Sequence, residues 1–107
     1  MIANMLQKLI SETAIDAALL FDKKGTLIDS VNLDKPETLS AMTNIIVEMC
    51  QGLIEELDQK KLNQIILKSE SLLIIANTTN EEQFLIAITS DITRLGLLIK
   101  VLENFVN

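Results

Sequence analysis

Several residue types on which catalysis and ligand binding commonly depend are missing or rare in this sequence. Its 107 residues include no histidine, tryptophan or tyrosine, one cysteine, one proline and three glycines. Without histidine, the chain lacks the usual general base at neutral pH and the common nitrogen ligand of metals. Gly25, Gly52 and Gly96 are isolated, so no phosphate-binding glycine loop is present. These absences argue against an enzyme and predict no bound cofactor, nucleotide or metal.

Cys50 is the only cysteine and lies inside the longest helical pattern. It has no partner for an intrachain disulfide, which favours a reducing compartment. No neighbouring group is placed to activate its thiol, so we interpret Cys50 as a small core residue and not as a nucleophile.

Basic charge and long apolar runs are also scarce. Nine Lys and Arg residues stand against 15 Asp and Glu, and no basic run exceeds two residues, so a nucleic-acid partner is not expected. No window approaches the roughly 18 uninterrupted apolar residues of a membrane span, and residues 1–10 lack the features of a secretory signal. We therefore expect a soluble cytoplasmic protein that does not insert into membranes.

What the sequence has in abundance is apolar surface, concentrated in the helical pattern of residues 37–58. Hydrophobic residues make up 49% of the chain, which fits a single ordered domain over residues 1–107. At about 100° per residue, the apolar side chains of this helix cover an arc of about 200°, against about 100° for an ordinary surface helix. Such a helix needs two packing partners: a sheet on one side and, most economically, a second copy of itself on the other.

The remaining periodicities predict an α+β domain with one antiparallel sheet between helical layers. The order is helix, two strands, helix, three strands, helix, over residues 1–10, 14–22, 26–31, 37–58, 62–69, 71–77, 83–89 and 92–106. Residues 14–22 and the last two strands are apolar on both sides and read as central strands. Residues 26–31 and 62–69 read as edge strands.

Local signals predict how these elements begin and turn. Asp22 to Gly25 forms a tight turn in which glycine takes a positive φ. Asp34 should cap the long helix, with Pro36 in its first turn and Glu37 closing a capping box. Ser90 and Asp91 should cap the last helix. The acidic run at the end of the long helix is interpreted as solvated surface.

One flank of the long helix is a candidate docking surface for another protein. Ala41, Ile45, Glu48 and Gly52 fall within a band of about 60° at the edge of the apolar arc. A glycine inside a helix costs roughly 1 kcal/mol relative to alanine, which calls for a compensating role. Two structural roles also stay open for Gly52: it makes room for a sister helix, or it is simply an exposed residue.

Three stretches resemble the Roadblock/dynein-light-chain family: the hairpin ALLFDKKG at residues 18–25, the strand FLIAI at residues 84–88 and the ending RLGLL at residues 94–98. With the order of elements, the resemblance extends over essentially the whole chain. It implies a five-stranded antiparallel sheet with the first and last helices on one face and the middle helix on the other. It also implies a homodimer in which the middle helices and third strands of two chains meet, with the interface at Met42, Ile46, Met49, Leu53, Gln64, Ile66 and Lys68.

The resemblance implies a function as well. Members of that family regulate or scaffold small Ras-like GTPases, serve as dynein light chains or hold complexes at membranes. In gliding-motility members the dimer activates a GTPase through its middle helices, which assigns Ala41, Ile45, Glu48 and Gly52 to that contact here. Arg94 is the only arginine and lies on the far face, so an arginine finger is not expected. Any activation would come from positioning the GTPase's own groups.

Two further classes remain open at this point. The chain is a pure assembly module in a motor or membrane-associated complex, or it senses a small ligand held between sheet and helix. The ligand class is disfavoured because such pockets need polar anchors, and Asp16 is the nearest candidate. The longer motility proteins continue beyond the position of Asn107, so activity that depends on such a tail is not expected.

Overall fold

A computed structural model describes residues 2–13, 15–79 and 82–106, with the side chains of residues 2–5, 12, 105 and 106 left out. Five strands form one antiparallel sheet with helices on both faces. The elements are α1 Ile2–Glu12, β1 Ala17–Asp22, β2 Leu27–Val31, α2 Pro36–Glu56, β3 Gln64–Lys68, β4 Leu73–Thr78, β5 Gln83–Thr89, a 3-10 turn Ile92–Arg94 and α3 Leu95–Val106.

The strand order in the sheet is β2-β1-β5-β4-β3, with every neighbouring pair antiparallel. The predicted edge strands β2 and β3 are therefore the two edges, and β3, β4 and β5 form the predicted meander. β1 is buried from Ala17 to Phe21, as its unbroken apolar sequence indicates. The predicted fold class is confirmed.

Each face of the sheet has its own hydrophobic core. Under α1 and α3, the buried side chains are Leu6, Leu9, Ile15, Ala18, Leu20, Leu73, Ile75, Leu85, Ala87, Leu98 and Leu102. On the opposite face, which we call the α2 face, the buried set is smaller and consists of Leu19, Phe21, Ala76 and Ile86, with Leu39 of α2 packed against it. The first and last helices thus lie on one face and the middle helix on the other, as the resemblance implied.

The β1–β2 turn forms as its residues predict. The Asp22 carboxylate accepts hydrogen bonds from the amides of Lys24 and Thr26, at 2.9 and 3.0 Å from Oδ1. Gly25 has φ of +86°, a conformation that residues with a Cβ rarely adopt. The Ser40 hydroxyl, buried on α2, donates to the carbonyl of Gly25 at 3.2 Å and so anchors this turn to the helix.

The predicted capping box at the start of α2 is wrong. Pro36 is the first helical residue, which makes Lys35 the N-cap, and no side chain hydrogen-bonds to the cap. Asp34 lies one residue too early to cap, and Glu37 is at the second helical position instead of the third that a capping box requires. Proline determines this start because its fixed φ suits the first turn and its missing N–H costs nothing there.

Other predicted boundaries shift by a few residues. Asp91 does cap, accepting from the Thr93 amide at 3.2 Å, but the residues that follow form a 3-10 turn before α3 begins at Leu95. β1 begins at Ala17. The predictions for Ala14, Asn80, Glu81 and Asn107 and for the side chains of Ile2, Met5, Phe105 and Val106 lie outside the described residues.

Candidate functional site

The middle helix contacts the sheet through a narrow strip. Of its 21 described residues, Ser40 and Val47 alone are buried. Its main contacts with the sheet are to β1 and β2. Much of the apolar arc of α2 therefore stays exposed among the residues that the structure describes.

The exposed part of the arc includes a row that we call the apolar stripe, formed by Met42, Met49 and Leu53. These side chains are 56%, 72% and 62% exposed. Ile46, predicted with them, is half-buried. A contiguous exposed apolar row of this kind is typical of a protein–protein contact surface.

The predicted interface residues of β3 lie on the other side of the sheet from the apolar stripe. Ile66 pairs with Ile75, which belongs to the core under α1 and α3. Gln64 and Lys68 point to that same face because side chains two apart on a strand share a face. The structure therefore groups Met42, Ile46, Met49 and Leu53 and separates them from Gln64, Ile66 and Lys68.

On β3, the exposed apolar residue of the α2 face is Leu67. It pairs with Ile74, which packs in the α2-face core, and it is 42% exposed. Sequence reasoning missed it because residues 65–67 are all apolar and show no alternation. The face to which each side chain of β3 points is determined only when β3 is paired with β4.

The predicted docking band, Ala41, Ile45, Glu48 and Gly52, is exposed at all four positions. Ile45 is 58% exposed, and a Cβ built on Gly52 would meet nothing within 4 Å. Packing among the described residues therefore does not require a glycine at position 52. A role in a contact with another molecule and simple exposure both remain as reasons for this glycine.

A groove of about 440 Å³ runs beside the docking band, between α2 and the ends of the β-strands. Its lining comes from four parts of the chain: the β1–β2 turn, α2, the segment before β3 and the β4–β5 connection. The lining residues are Lys23, Asn44, Val47, Glu48, Gln51, Gly52, Glu55, Lys61, Leu62, Thr78, Glu82 and Phe84. Glu48 and Gly52 thus belong to both surfaces, whereas Ala41 and Ile45 lie outside the groove.

Gln51 holds the end of the groove together. Its Nε2 donates to Glu55 Oε2 at 2.8 Å and to the Lys60 carbonyl at 3.1 Å. Its Oε1 accepts from the Leu62 amide at 2.9 Å. The Leu62 carbonyl in turn accepts from Thr78 Oγ1 at 3.0 Å. One side chain therefore connects α2 to the segment that leads into β3.

An ion pair links the two turns at the groove. Lys23 Nζ lies 2.6 Å from Glu82 Oε2. The hydrogen bond, followed by charge attraction, lowers the pKa of the Glu82 carboxyl and raises the pKa of the Lys23 ammonium. Because the pKa of Glu82 is depressed in the folded state, this contact stabilises the fold at pH values above the ordinary pKa of the carboxyl. The stabilisation is lost as pH falls through the folded-state pKa.

Substituting Lys23→Met should raise the pKa of Glu82 toward its ordinary value of 4.5. The hydrogen bond and most of the nearby positive charge are removed, and the weaker attraction of Lys61 remains. Carboxyl-carbon NMR titration of Glu82 measures the shift. Lys24→Met, in the same turn, is the control and should leave this titration in place; an equal effect of both variants contradicts a specific Lys23 contact.

Groups that could carry chemistry are not assembled in the part of the chain that the structure describes. Arg94 Nε is held by Asp91 Oδ2 at 2.9 Å, just before α3. The neighbouring Ile92 and Leu95 pack against the core under α1 and α3, which places this turn on the far face from α2. Asp16 is exposed and accepts from the Ser90 amide and hydroxyl at 2.8 and 2.9 Å, so it does not anchor a ligand in the groove. No group of three or more acidic or cysteine residues there is placed to hold a metal.

The fold and its exposed middle helix agree with a comparison of the sequence with protein families: residues 1–90 match the Roadblock/LC7 domain. The chain belongs to the Roadblock/LC7 family. No curated protein sequence matches it significantly.

Solved structures share this Roadblock fold. MglB of Myxococcus xanthus is similar with a TM-score of 0.89 and 20% identity, covering 97% of this chain and 87% of MglB. The gliding protein MglB of Thermus thermophilus gives 0.87 and 17%, covering 97% and 82%. An MglB structure with a tetrameric arrangement gives 0.87 and 17%, covering 97% and 81%. At these identities the likeness establishes the fold alone.

Within the described residues, no helix of this Roadblock domain combines the length and apolar character needed to cross a bilayer. Even α2, with 21 residues, carries glutamates along its exposed flank.

Proposed function

We propose that this Roadblock domain forms a homodimer in the cytoplasm and that the dimer binds and regulates a small Ras-like GTPase through its middle helices. One observation carries the proposal: α2 buries two of its residues and leaves four large apolar side chains exposed, Met42, Ile45, Met49 and Leu53, with a fifth, Leu57, at its C-cap. An apolar surface of that extent is unfavourable in water unless another protein covers it.

The apolar stripe and the β3 edge support the dimer. A second α2 packed on the stripe removes Met42, Met49 and Leu53 from water, and a second β3 pairs with the open edge of the sheet. Edge pairing uses backbone groups, so Gln64, Ile66 and Lys68 take part although their side chains face away from the stripe. Leu67, which shares a face with α2, completes the apolar contact. One similar solved structure is of MglB with a tetrameric arrangement, which supports self-association of the chain.

The docking band supports a separate contact with the GTPase. Ala41, Ile45, Glu48 and Gly52 are exposed and lie beside the apolar stripe without belonging to it. With Arg94 held by Asp91 on the opposite face, this chain does not insert an arginine into the GTPase site. It acts by holding the GTPase's own water-positioning and switch groups in their reactive arrangement.

Substituting Ile45→Arg should weaken GTPase binding at least tenfold while the protein stays folded and dimeric. A charge at this exposed apolar position cannot be buried against a partner without an unpaired-charge cost. Binding is measured by calorimetry with the purified Ras-like GTPases of the same organism, each loaded with GDP or a non-hydrolysable GTP analogue. Leu97→Arg, at an exposed position of α3, is the matched control. Unchanged binding in both Ile45→Arg and Gly52→Arg removes this surface from the proposal.

A pure scaffold is the second candidate, favoured by the position of Arg94 far from α2. It predicts complex formation without any change in the partner's nucleotide state. GTP hydrolysis by the GTPase, measured with and without saturating Roadblock domain, separates the two functions. Unchanged hydrolysis at full complex formation favours the scaffold, and faster hydrolysis favours regulation.

A further inference from the structure

We propose that the groove beside α2 binds a short segment of the partner protein in which a basic residue is flanked by apolar ones. The inference rests on the proposed function, since it names the chemistry that the partner presents next to the docking band. It is carried by the shape, the floor and the charge of the groove, none of which depends on the identity of the GTPase.

The floor of the groove is apolar and firmly supported. Val47 is buried, and Leu62 and Phe84 are half-buried. The Phe84 ring is tilted against Phe21, with centroids 5.3 Å apart, and Phe21 is fully buried in the α2-face core. At about 440 Å³, the groove falls in the range that preformed binding pockets occupy. It is suited to a few apolar side chains of an extended segment.

The helical wall of the groove carries negative charge without a matching cation. Glu48 and Glu55 are seven residues apart, about two turns, and so lie on the same side of α2. Each accepts a hydrogen bond from a neutral amide, Glu48 from Asn44 at 3.2 Å and Glu55 from Gln51 at 2.8 Å. Neither is in an ion pair with any residue that the structure describes. Gly52 stands between them and leaves the wall open.

Both lysines that line the groove interact with a third carboxylate, Glu82. Lys23 is hydrogen-bonded to Glu82, and the charge of Lys61 also acts on Glu82. The lining contains three carboxylates, Glu48, Glu55 and Glu82, and two ammonium groups, Lys23 and Lys61, which gives a net charge of −1, on a chain of net charge −6. A phosphate-bearing ligand is disfavoured at this wall, whereas lysine or arginine is favoured because its apolar stem covers the floor while its charge reaches Glu48 and Glu55.

Two capped synthetic peptides of alternating sequence test the inference, one of leucine and lysine and the other of leucine and glutamate. Amide NMR spectra of the Roadblock domain are recorded as each is added at low salt. We expect the lysine peptide to cause saturable shifts at Gly52, Leu62 and Phe84, and the glutamate peptide to cause none. Glu48→Lys and Glu55→Lys should each weaken lysine-peptide binding at least fivefold, and higher salt should weaken it further.

Glu56→Lys is the matched control, since it makes the same charge change one residue beyond Glu55 and outside the groove lining. Equal binding of both peptides, equal loss in Glu56→Lys, or no saturable shift at the groove overturns the inference. Groove shifts that grow with protein concentration in the absence of peptide identify a second copy as the occupant, which also overturns it.

The outcome separates this inference from the proposed function. The peptide measurement contains no GTPase, so peptide binding at the groove together with no binding to any Ras-like GTPase refutes the GTPase proposal alone. The groove inference can also fail alone, because Glu55 lines the groove but lies outside the docking band. If Ile45→Arg weakens GTPase binding and Glu55→Lys leaves it unchanged, the proposed function stands and the groove inference fails.

Discussion

Replacing Met49 and Leu53 together by aspartate should convert the proposed homodimer of the Roadblock domain into a folded monomer of 11.9 kDa. Both side chains belong to the apolar stripe and are 72% and 62% exposed within one chain, so the core does not depend on them. In a dimer they are buried, and each unpaired carboxylate there costs several kcal/mol. At about 1.4 kcal/mol per tenfold, the dimer should dissociate more than 1,000-fold more readily.

Analytical ultracentrifugation over a range of micromolar concentrations measures this change, and circular dichroism verifies that the fold remains. Leu97→Asp is the control because Leu97 is 53% exposed on α3, away from the stripe, and this variant should stay dimeric. A wild-type chain that sediments as a single monomer at these concentrations contradicts the dimer. A double variant that remains dimeric shows that another surface pairs the chains.

Substituting Phe21→Ala should reduce the free energy of unfolding by about 3–5 kcal/mol. Phe21 is fully buried in the smaller of the two cores, where its ring packs with Leu19 and Ile86, so its removal leaves a cavity. That loss is a large share of the roughly 5–15 kcal/mol by which a domain is stable. Removing the ring also takes away the neighbour of Phe84, so the floor of the groove should loosen.

Urea unfolding at one fixed chain concentration measures this loss, because the proposed dimerisation would make apparent stability depend on concentration. Leu97→Ala, at an exposed position, should change stability by less than about 0.5 kcal/mol. A loss below about 1 kcal/mol for Phe21→Ala contradicts the placement of Phe21 in the α2-face core.

Taken together, the contacts divide the middle helix by function. The strip around Val47 holds the helix on the sheet, the apolar stripe is placed to meet a second copy, and the docking band with the groove faces the other flank. Under the proposals above, a single helix serves three contacts because its apolar arc of about 200° is wider than one packing interface requires. This division is why the dimer, docking and groove variants are expected to act separately.

The features that the sequence predicted well depend on neighbours close in the chain. An unbroken apolar run marks β1 as central, Gly25 marks the turn after it, and the mixed composition around Gln64 marks β3 as an edge. The excess apolar surface of α2 is equally visible in the sequence, since helical periodicity relates side chains within a few turns. The start of α2 was the exception: Asp34 and Glu37 had the right residue types, but Pro36 determined the first turn.

The amino-acid sequence by itself determined the element order, the two-faced sheet and the helix that exposes too much apolar surface, because each is a matter of local periodicity and composition. The tertiary structure alone decided that Leu67, and not Ile66, shares a face with α2, because only pairing with β4 sets the phase of an apolar run. It also decided that Lys23, Gln51, Leu62 and Phe84 line one groove beside Glu48. Those residues come from segments distant in the chain, and no local pattern records which distant segments the sheet will bring together.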